Sequence, residues 1–369
     1  METVAVCAAE GTPRLLMMAV RGIESMVEPG RRLFCYRLRK APDGLMREGI
    51  SHRYTAMTLL GLLRARPMGL TSQIDIDSVV DQLLKESAWV DNVGDLGLLL
   101  SLCASCGQDR MDQFDLTFDV SGALKRYPDT RRALTMELSW FLTGLVFSHK
   151  AGSREHTRLA YETYDLIRRN QGESGLFGHM AKSGSMAGMV RGHVGSFADQ
   201  VYPIFAFAHF SQIFGHKQAR ENALCCANAI CDLQGPMGQW WWHYNSVTGR
   251  VVEQYPVYSV HQHGMAPMAL LALQETCGAD YYAPINKGLK WINGANELGQ
   301  DLEDRQAGVA WRCIQPSKSS KWLTAASTYL GLKTSRGPLY PLYECRPYEL
   351  GWLLYALAPT CHAANLELN

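Results

Sequence analysis

The sequence predicts an all-α chain, an (α/α)6 toroid in which inner helices are ringed by outer ones, with short β-hairpins at the rim. Three observations predict it. Apolar residues recur at helical spacing almost throughout. Two kinds of helical segment alternate, six of each, and a spaced Gln/Gly/aromatic element recurs between them. The whole chain, 1–369, reads as one such domain, since barrel folds often use this much sequence as one unit.

The first kind of segment is amphipathic with a charged outer face: Pro13 to Val27, Ile76 to Ser87, Val120 to Tyr127, Thr157 to Arg169, Gln218 to Leu233 and Tyr282 to Asn293. The second kind is apolar on nearly all sides and rich in Gly and Ala. It runs Tyr54 to Arg64, Gly94 to Ser105, Leu134 to Ser148, Ala198 to Phe214, Val260 to Glu275 and Arg346 to Leu357. A helix that is apolar all round must be enclosed, so these form the inner ring. Gly61, Gly97, Gly144, Ala206 and Ala269 suit close approach between them.

The recurring element is Gln171, Gly175, Phe177, then Gln234, Gly238, Trp240, with Lys40-x-x-x-Gly44-x-Met46 as a degenerate copy before the first inner helix. The stretch Trp240 to Val252 alternates on both sides of Thr248-Gly249, which predicts a β-hairpin at the rim. Residues 294–343 lack helical periodicity except near Trp322 to Leu330, so they read as a rim loop or cap, a kind of segment that often carries function.

Composition excludes several classes. Hydrophobic residues at 47% and charged residues at 19% supply a large core and no sign of disorder. A net charge of +1 gives no field for nucleic acid or an anionic membrane, and Arg31-Arg32 and Arg131-Arg132 read as solvated helix ends. The apolar start Met1 to Cys7 lacks a basic leader and is soon followed by Glu10 and Arg14, so the expectation is no signal peptide, no membrane span and a cytoplasmic chain. Its eleven cysteines are then expected as thiols. Cys225-Cys226 are adjacent and Cys103/Cys106 is a lone CxxC, so no metal site is expected. No phosphate-binding loop, nucleophile elbow or dinucleotide fingerprint is present, and no cofactor is expected.

In a toroid the residues opening the inner helices gather at one funnel although they are far apart in sequence. These are His52, Arg53 and Tyr54; Asp95; Glu137; Asp199, Gln200 and Tyr202; His261 and His263; and Arg346, Tyr348 and Glu349. Each acid alone could cap its own helix. Together they make a polar pocket with His261, Asp199, Glu349, Glu137, His263 and Tyr258 as catalytic candidates. His261 and His263 face different sides of a helix and make a poor metal pair, but either can move a proton near neutral pH. Arg53, Tyr54, Tyr202, Trp240, Trp241, Tyr255 and Arg346 are the substrate-binding candidates, because aromatic faces stack on sugar rings or carbocations and guanidinium groups bind anions.

The Gln/Gly/aromatic element resembles the QW repeat of terpenoid cyclases and protein prenyltransferase β subunits, and the helix count is similar to that of the six-hairpin glycosidase-like toroids. The resemblance covers most of the chain and implies a toroid. The acid motif of class II cyclases is only partly matched: Asp75-x-Asp77 is followed by Ser78 and opens an outer helix, where capping is the better reading. The zinc trio of prenyltransferases has no counterpart. The leading expectation is a carbohydrate-active enzyme using acid/base chemistry, an epimerase, lyase or hydrolase of a sugar or uronic acid, acting on a small-molecule or oligosaccharide substrate. An isoprenoid enzyme and a non-catalytic binding scaffold are the alternatives, and oligomeric state is left open.

Overall fold

The computed structural model describes residues 12–126, 134–180, 192–317 and 337–367. Six inner helices stand in a closed ring: α2 (His52–Ala65), α4 (Val93–Cys106), α6 (Thr135–Lys150), α8 (Ala198–Phe214), α10 (Ala266–Cys277) and α12 (Pro347–Glu367). Each packs on the next, and α12 returns to α2. The outer helices are α1 (Thr12–Ser25), α3 (Ile76–Lys85), α5 (Gln108–Thr117), α7 (Thr157–Arg168), α9 (Lys217–Asp232) and α11 (Tyr282–Ile292). This is the (α/α)6 toroid. Among the described residues no helix is long and apolar enough to cross a membrane.

The inner ring closes because glycines let backbones touch. A Cβ on Gly97 would lie 2.3 Å from the Phe141 Cα of α6, and one on Gly144 would lie 2.5 Å from the Gly97 carbonyl oxygen. The same occurs between α2 and α12, where a Cβ on Gly61 would sit 2.1 Å from the Gly351 oxygen. Leu, Phe and Trp side chains fill the spaces on either side of these seams, and the core runs continuously around the ring.

The Gln/Gly/aromatic elements are clasps between consecutive outer helices. Gln171 Nε2 donates to the Gly175 carbonyl at 2.8 Å and to the Asn222 carbonyl of α9 at 2.9 Å. Gln234 Nε2 repeats this one unit later, to Gly238 at 3.1 Å and to Pro284 of α11 at 2.9 Å. Each glycine has positive φ and lies against the next outer helix, with no room for a Cβ beside the Cys225 or Lys287 carbonyl. Phe177 and Trp240 then plug the core.

Two sequence expectations are corrected. The segment expected at Val120 to Tyr127 is not the third outer helix; among its described residues only a 3-10 turn at Ala123–Arg126 forms, and α5 takes the outer place. Helix α5 buries only Met111 and Phe114, so its apolar stripe is too thin to register as a period. Lys40-x-x-x-Gly44-x-Met46 is not a clasp but the turn of a long hairpin, β2 (Leu33–Ala41) and β3 (Gly44–Ile50), with Ala41 paired to Gly44. Its Pro42-Asp43-Gly44 run is turn chemistry, with Gly44 at φ 125°.

The remaining strands dress the rim, with β1 (Val27–Glu28) paired to β2 and β8 (Glu303–Asp304) paired to β9 (Val309–Ala310). β5 (His243–Asn245) and β6 (Arg250–Glu253) form the expected hairpin around Thr248-Gly249, with β4 (Val194–Ser196) on the outer edge of β5. In the expected rim segment, β10 (Cys313–Pro316) pairs with β11 (Leu339–Leu342) and with β7 (Val257–Tyr258). β12 (Glu344–Cys345) pairs with β2 and leads into α12. The helical stretch expected near Trp322 to Leu330 lies outside the described residues, as do Met1 to Glu10 and Arg131-Arg132.

The clasp predicts a mutational asymmetry. Gly238→Ala adds a methyl at 2.2 Å from a backbone oxygen and at positive φ, and should cost about 2–4 kcal/mol in urea unfolding. Gly30→Ala, with open space around it, should change stability by less than about 0.5 kcal/mol. Equal effects at the two positions would refute the clasp.

Candidate active site

The inner helices begin at the same end of the ring, and their first turns carry most of the ionisable groups that the sequence singles out. On α2, Arg53 forms a two-pronged ion pair with Asp95 of α4, Nε to Oδ1 at 2.5 Å and Nη2 to Oδ2 at 2.8 Å. Asn92 caps α4 and holds the Asp95 carboxylate from its other side at 2.8 Å. Asp95 is therefore not the cap of its helix but the counterion of Arg53. Burial pushes its carboxyl above the usual range, against the pull of Arg53.

Glu137 stands next to this pair. Gly94 of α4 lies against it so closely that a Cβ there would be 2.9 Å from the Glu137 Cα. The glycine seam thus brings two carboxylates from neighbouring helices together. Burial raises the Glu137 carboxyl above its ordinary value; the positive charge of Arg53 opposes the shift, the charge of Asp95 adds to it, and His179 opposes it from across the mouth. Trp140, one turn along α6, lies under the Arg53 guanidinium, 5.9 Å from carbon to ring centre.

Asp199 is fully buried and collects four donors. Its Oδ2 accepts from Ser196 N at 2.8 Å, Ser196 Oγ at 2.9 Å and His179 Nδ1 at 3.0 Å, while Oδ1 accepts from Met136 N at 3.2 Å. It therefore caps the start of α6 from the neighbouring helix and also orients an imidazole. The His179 side chain is 40% exposed at the mouth. Sequence reasoning missed His179, yet the repeat held a signal. His179 follows Phe177 by two residues as Trp242 follows Trp240, and both their carbonyls accept from the start of the preceding inner helix, at Thr135 N and Phe197 N.

The opposite wall is aromatic and cationic. Tyr54 lies between Tyr36 and Tyr348, with ring centres at 5.4 and 4.5 Å. Arg346 donates to the Tyr54 hydroxyl at 2.7 Å and covers the Tyr36 ring at 4.5 Å, while its buried Nε has no partner among the described residues. Arg312, which the sequence did not flag, pairs with Glu349 and, at 3.0 Å, with Glu344. Glu349 is buried and also accepts from Arg346 N at 3.0 Å, so it is committed to structure; burial nonetheless raises its carboxyl.

His261 and His263 lie deeper than their sequence position suggests. A π-helical turn, His261–Met265, opens α10 and turns both rings into the wall. His261 packs on Phe197 at 4.5 Å and Tyr258 at 5.1 Å, with Nδ1 3.5 Å from the Trp240 carbonyl. His263 is fully buried, and neither ring nitrogen has a partner among the described residues. Burial lowers both to about 3. Tyr258 sits under Arg312, and burial pushes its hydroxyl up to about 12.

Trp240 and Trp241 are in the core, with Trp241 Nε1 bonded to the Leu233 carbonyl; Trp242 is the half-exposed member of the run. Trp242 packs on Tyr258 at 4.9 Å and beside His243, which meets Glu253 at 2.5 Å. Tyr255 bonds Glu297 at 2.6 Å, and buried Tyr202 accepts from Trp352 at 3.0 Å beneath the mouth. Among the described residues no group of three or more His, Cys, Asp or Glu is arranged to hold a metal ion.

Solved structures with a similar fold include unsaturated glucuronyl hydrolases by their titles. The chain is similar to a possible member of the GH105 family from Klebsiella pneumoniae, at 11% identity over 100% of this chain and 96% of that one, with a TM-score of 0.61. It is similar to the unsaturated glucuronyl hydrolase responsible for glycosaminoglycan degradation from Bacillus sp. GL1, at 13% identity over 94% of each chain and a TM-score of 0.62. A Streptococcus agalactiae unsaturated glucuronyl hydrolase variant matches at 10% identity over 95% and 90%, with a TM-score of 0.61. The chain shares their six-hairpin toroid fold. No family model and no curated protein sequence matches it.

The buried histidines make stability acid-sensitive. Each folded-state value is depressed to about 3, so between pH 6.5 and 3 the unfolded chain binds more protons, and stability falls as pH drops below about 6.5. At pH 5 each ring should cost about 2 kcal/mol relative to pH 7. Urea unfolding of His263→Leu at both pH values should show its acid sensitivity reduced by about that amount; an unchanged difference would contradict the assignment.

Proposed function

We propose that this chain is a glycoside hydrolase that releases an acidic sugar from an oligosaccharide, with Glu137 as the proton donor. The observation that carries the reading is the position of Glu137. Burial holds its carboxyl above the usual range at the helix tips, with Asp95 adding to the shift and Arg53 and His179 opposing it. A carboxyl that keeps its proton closer to neutral pH, next to a second acid/base pair, is what cleavage of a glycosidic bond requires.

In this mechanism Glu137 gives its proton to the departing oxygen as the bond to the sugar breaks. A water molecule adds to the sugar carbon and loses a proton to His179, and Asp199, bonded to Nδ1, stabilises the imidazolium that forms. The Arg53–Asp95 pair is the positioning element, because it fixes the charge next to Glu137. The Arg346 Nε, beside the Tyr54 hydroxyl, is the donor set for a substrate carboxylate, and the half-exposed Trp242 is the platform for the ring.

The titles of the similar structures support the substrate class, since they name unsaturated glucuronyl hydrolases, one of them specific for heparin. Epimerisation or elimination through His261 or Tyr258 has less support, because the first is buried with its value lowered to about 3 and the second is raised to about 12. An isoprenoid enzyme would have an apolar funnel with a single strong acid; Arg53, Asp95, Glu137, His179 and Asp199 at one mouth weigh against a hydrocarbon substrate.

The test is turnover of a disaccharide ending in an unsaturated glucuronyl residue, set against neutral glycosides. Glu137→Gln should lower kcat/KM by about 10²–10⁴-fold while circular dichroism stays unchanged. The native rate should fall on the alkaline side with an apparent pKa above the ordinary glutamate value of 4.5, and Glu137→Gln should lose that limb. Arg346→Met should raise KM more than it lowers kcat. Preferred turnover of neutral sugars, or an active Glu137→Gln, would overturn the reading.

A further inference from the structure

We infer that the end of the toroid opposite this mouth is a binding site for a small amphiphilic monocarboxylate. Helices α2, α8, α10 and α12 enclose a cavity of about 520 Å³ that includes Arg64 near the end of α2 and Gln274 and Glu275 near the end of α10, within the range that holds a small organic molecule. Phe205, Met268, Leu271 and Tyr355 are buried and give it an apolar wall. Glu137, at the first turn of α6, lies at the far end of the ring, so this cavity is separate from the proposed catalytic mouth.

Among the polar groups of that lining, Arg64 and His209 each keep one buried nitrogen without a partner among the described residues, while Gln212 hydrogen-bonds the His209 ring. Arg64, at the end of α2, lies over the Tyr355 ring at 5.1 Å, and its buried Nε has no hydrogen-bond partner among the described residues. It also has no carboxylate partner there. His209 of α8 stands edge-on to Phe205 and Phe147, with ring centres at 4.5 and 5.3 Å, and its buried Nε2 is likewise unpartnered. Both residues line the same cavity, from inner helices on opposite sides of the ring.

A buried donor left without a partner costs about 1–3 kcal/mol, and a charged one more. One carboxylate placed between Arg64 and His209 would satisfy both, with one oxygen on the guanidinium and the other on the imidazole N–H. The apolar wall then receives the rest of the ligand. Glu275 and Asp280 are exposed at the lip of the cavity and set the charge limit: a second anionic group on the ligand would face them, so a monoanion with an apolar body fits and a dicarboxylate does not.

Sodium octanoate is the probe, titrated calorimetrically into the full chain with octanamide as its neutral counterpart. One site should be seen for octanoate, with octanamide at least about tenfold weaker. Arg64→Met should weaken octanoate by at least about tenfold, and Ala272→Phe, which fills the cavity, should abolish binding. Glu137→Gln should bind octanoate as the native chain does, which keeps this site distinct from the catalytic reading. Should Ala272→Phe not fold, Arg64→Met and octanamide decide. No heat at millimolar octanoate, or binding that survives Arg64→Met and does not distinguish octanamide, would overturn the inference.

Discussion

Backbone-to-backbone contact between inner helices is the constraint from which the rest of the molecule follows. Gly97 and Gly144 close the approach of α4 to α6, and Gly61 and Gly351 close that of α12 to α2. No side chain larger than hydrogen fits at these points, so the ring has one diameter. Helices that approach this closely bring their tips together as well, and the tips hold the residues of the proposed site. Gly94, one turn before Gly97, is the link between the two roles: it is part of the seam and it sets Glu137 beside Asp95.

The mouth also shows how structural and chemical duties share residues. Asp199 caps α6 from a neighbouring helix and at the same time holds His179, so one carboxylate fixes a helix start and an imidazole tautomer. Arg312 neutralises both Glu344 and Glu349, and so keeps the start of α12 fixed in low-dielectric surroundings. Beside it Arg346 is left with an unused Nε. The wall is fixed where charges are paired, and one buried donor in it is left over.

The outer layer is held by a different device. In each clasp a glutamine side chain joins the backbone of its own turn to that of the next outer helix. The similarity of these elements to QW repeats is therefore one of local architecture. The clasps join outer helices and reach no residue of the mouth, so they name no chemistry there.

Much of this was legible in the sequence, and the physical reason is period. Helix faces are set by neighbours three and four residues apart, so all six inner helices and five of the six outer ones could be read, as could the hairpin around Thr248-Gly249. Helix α5 escaped because two buried residues do not make a period, and the β2–β3 hairpin because Gly44 was read as part of a repeat and not as a turn. At the site, Arg53, Asp95, Glu137, Asp199 and Arg346 were visible as residues opening inner helices. Their roles were not. Whether an acid caps its own helix, pairs with an arginine or keeps its proton depends on burial and on residues far away in the chain. His179, Arg312 and the burial of Trp240 and His261 likewise follow from which segments meet across the ring, a matter that only the tertiary structure decides.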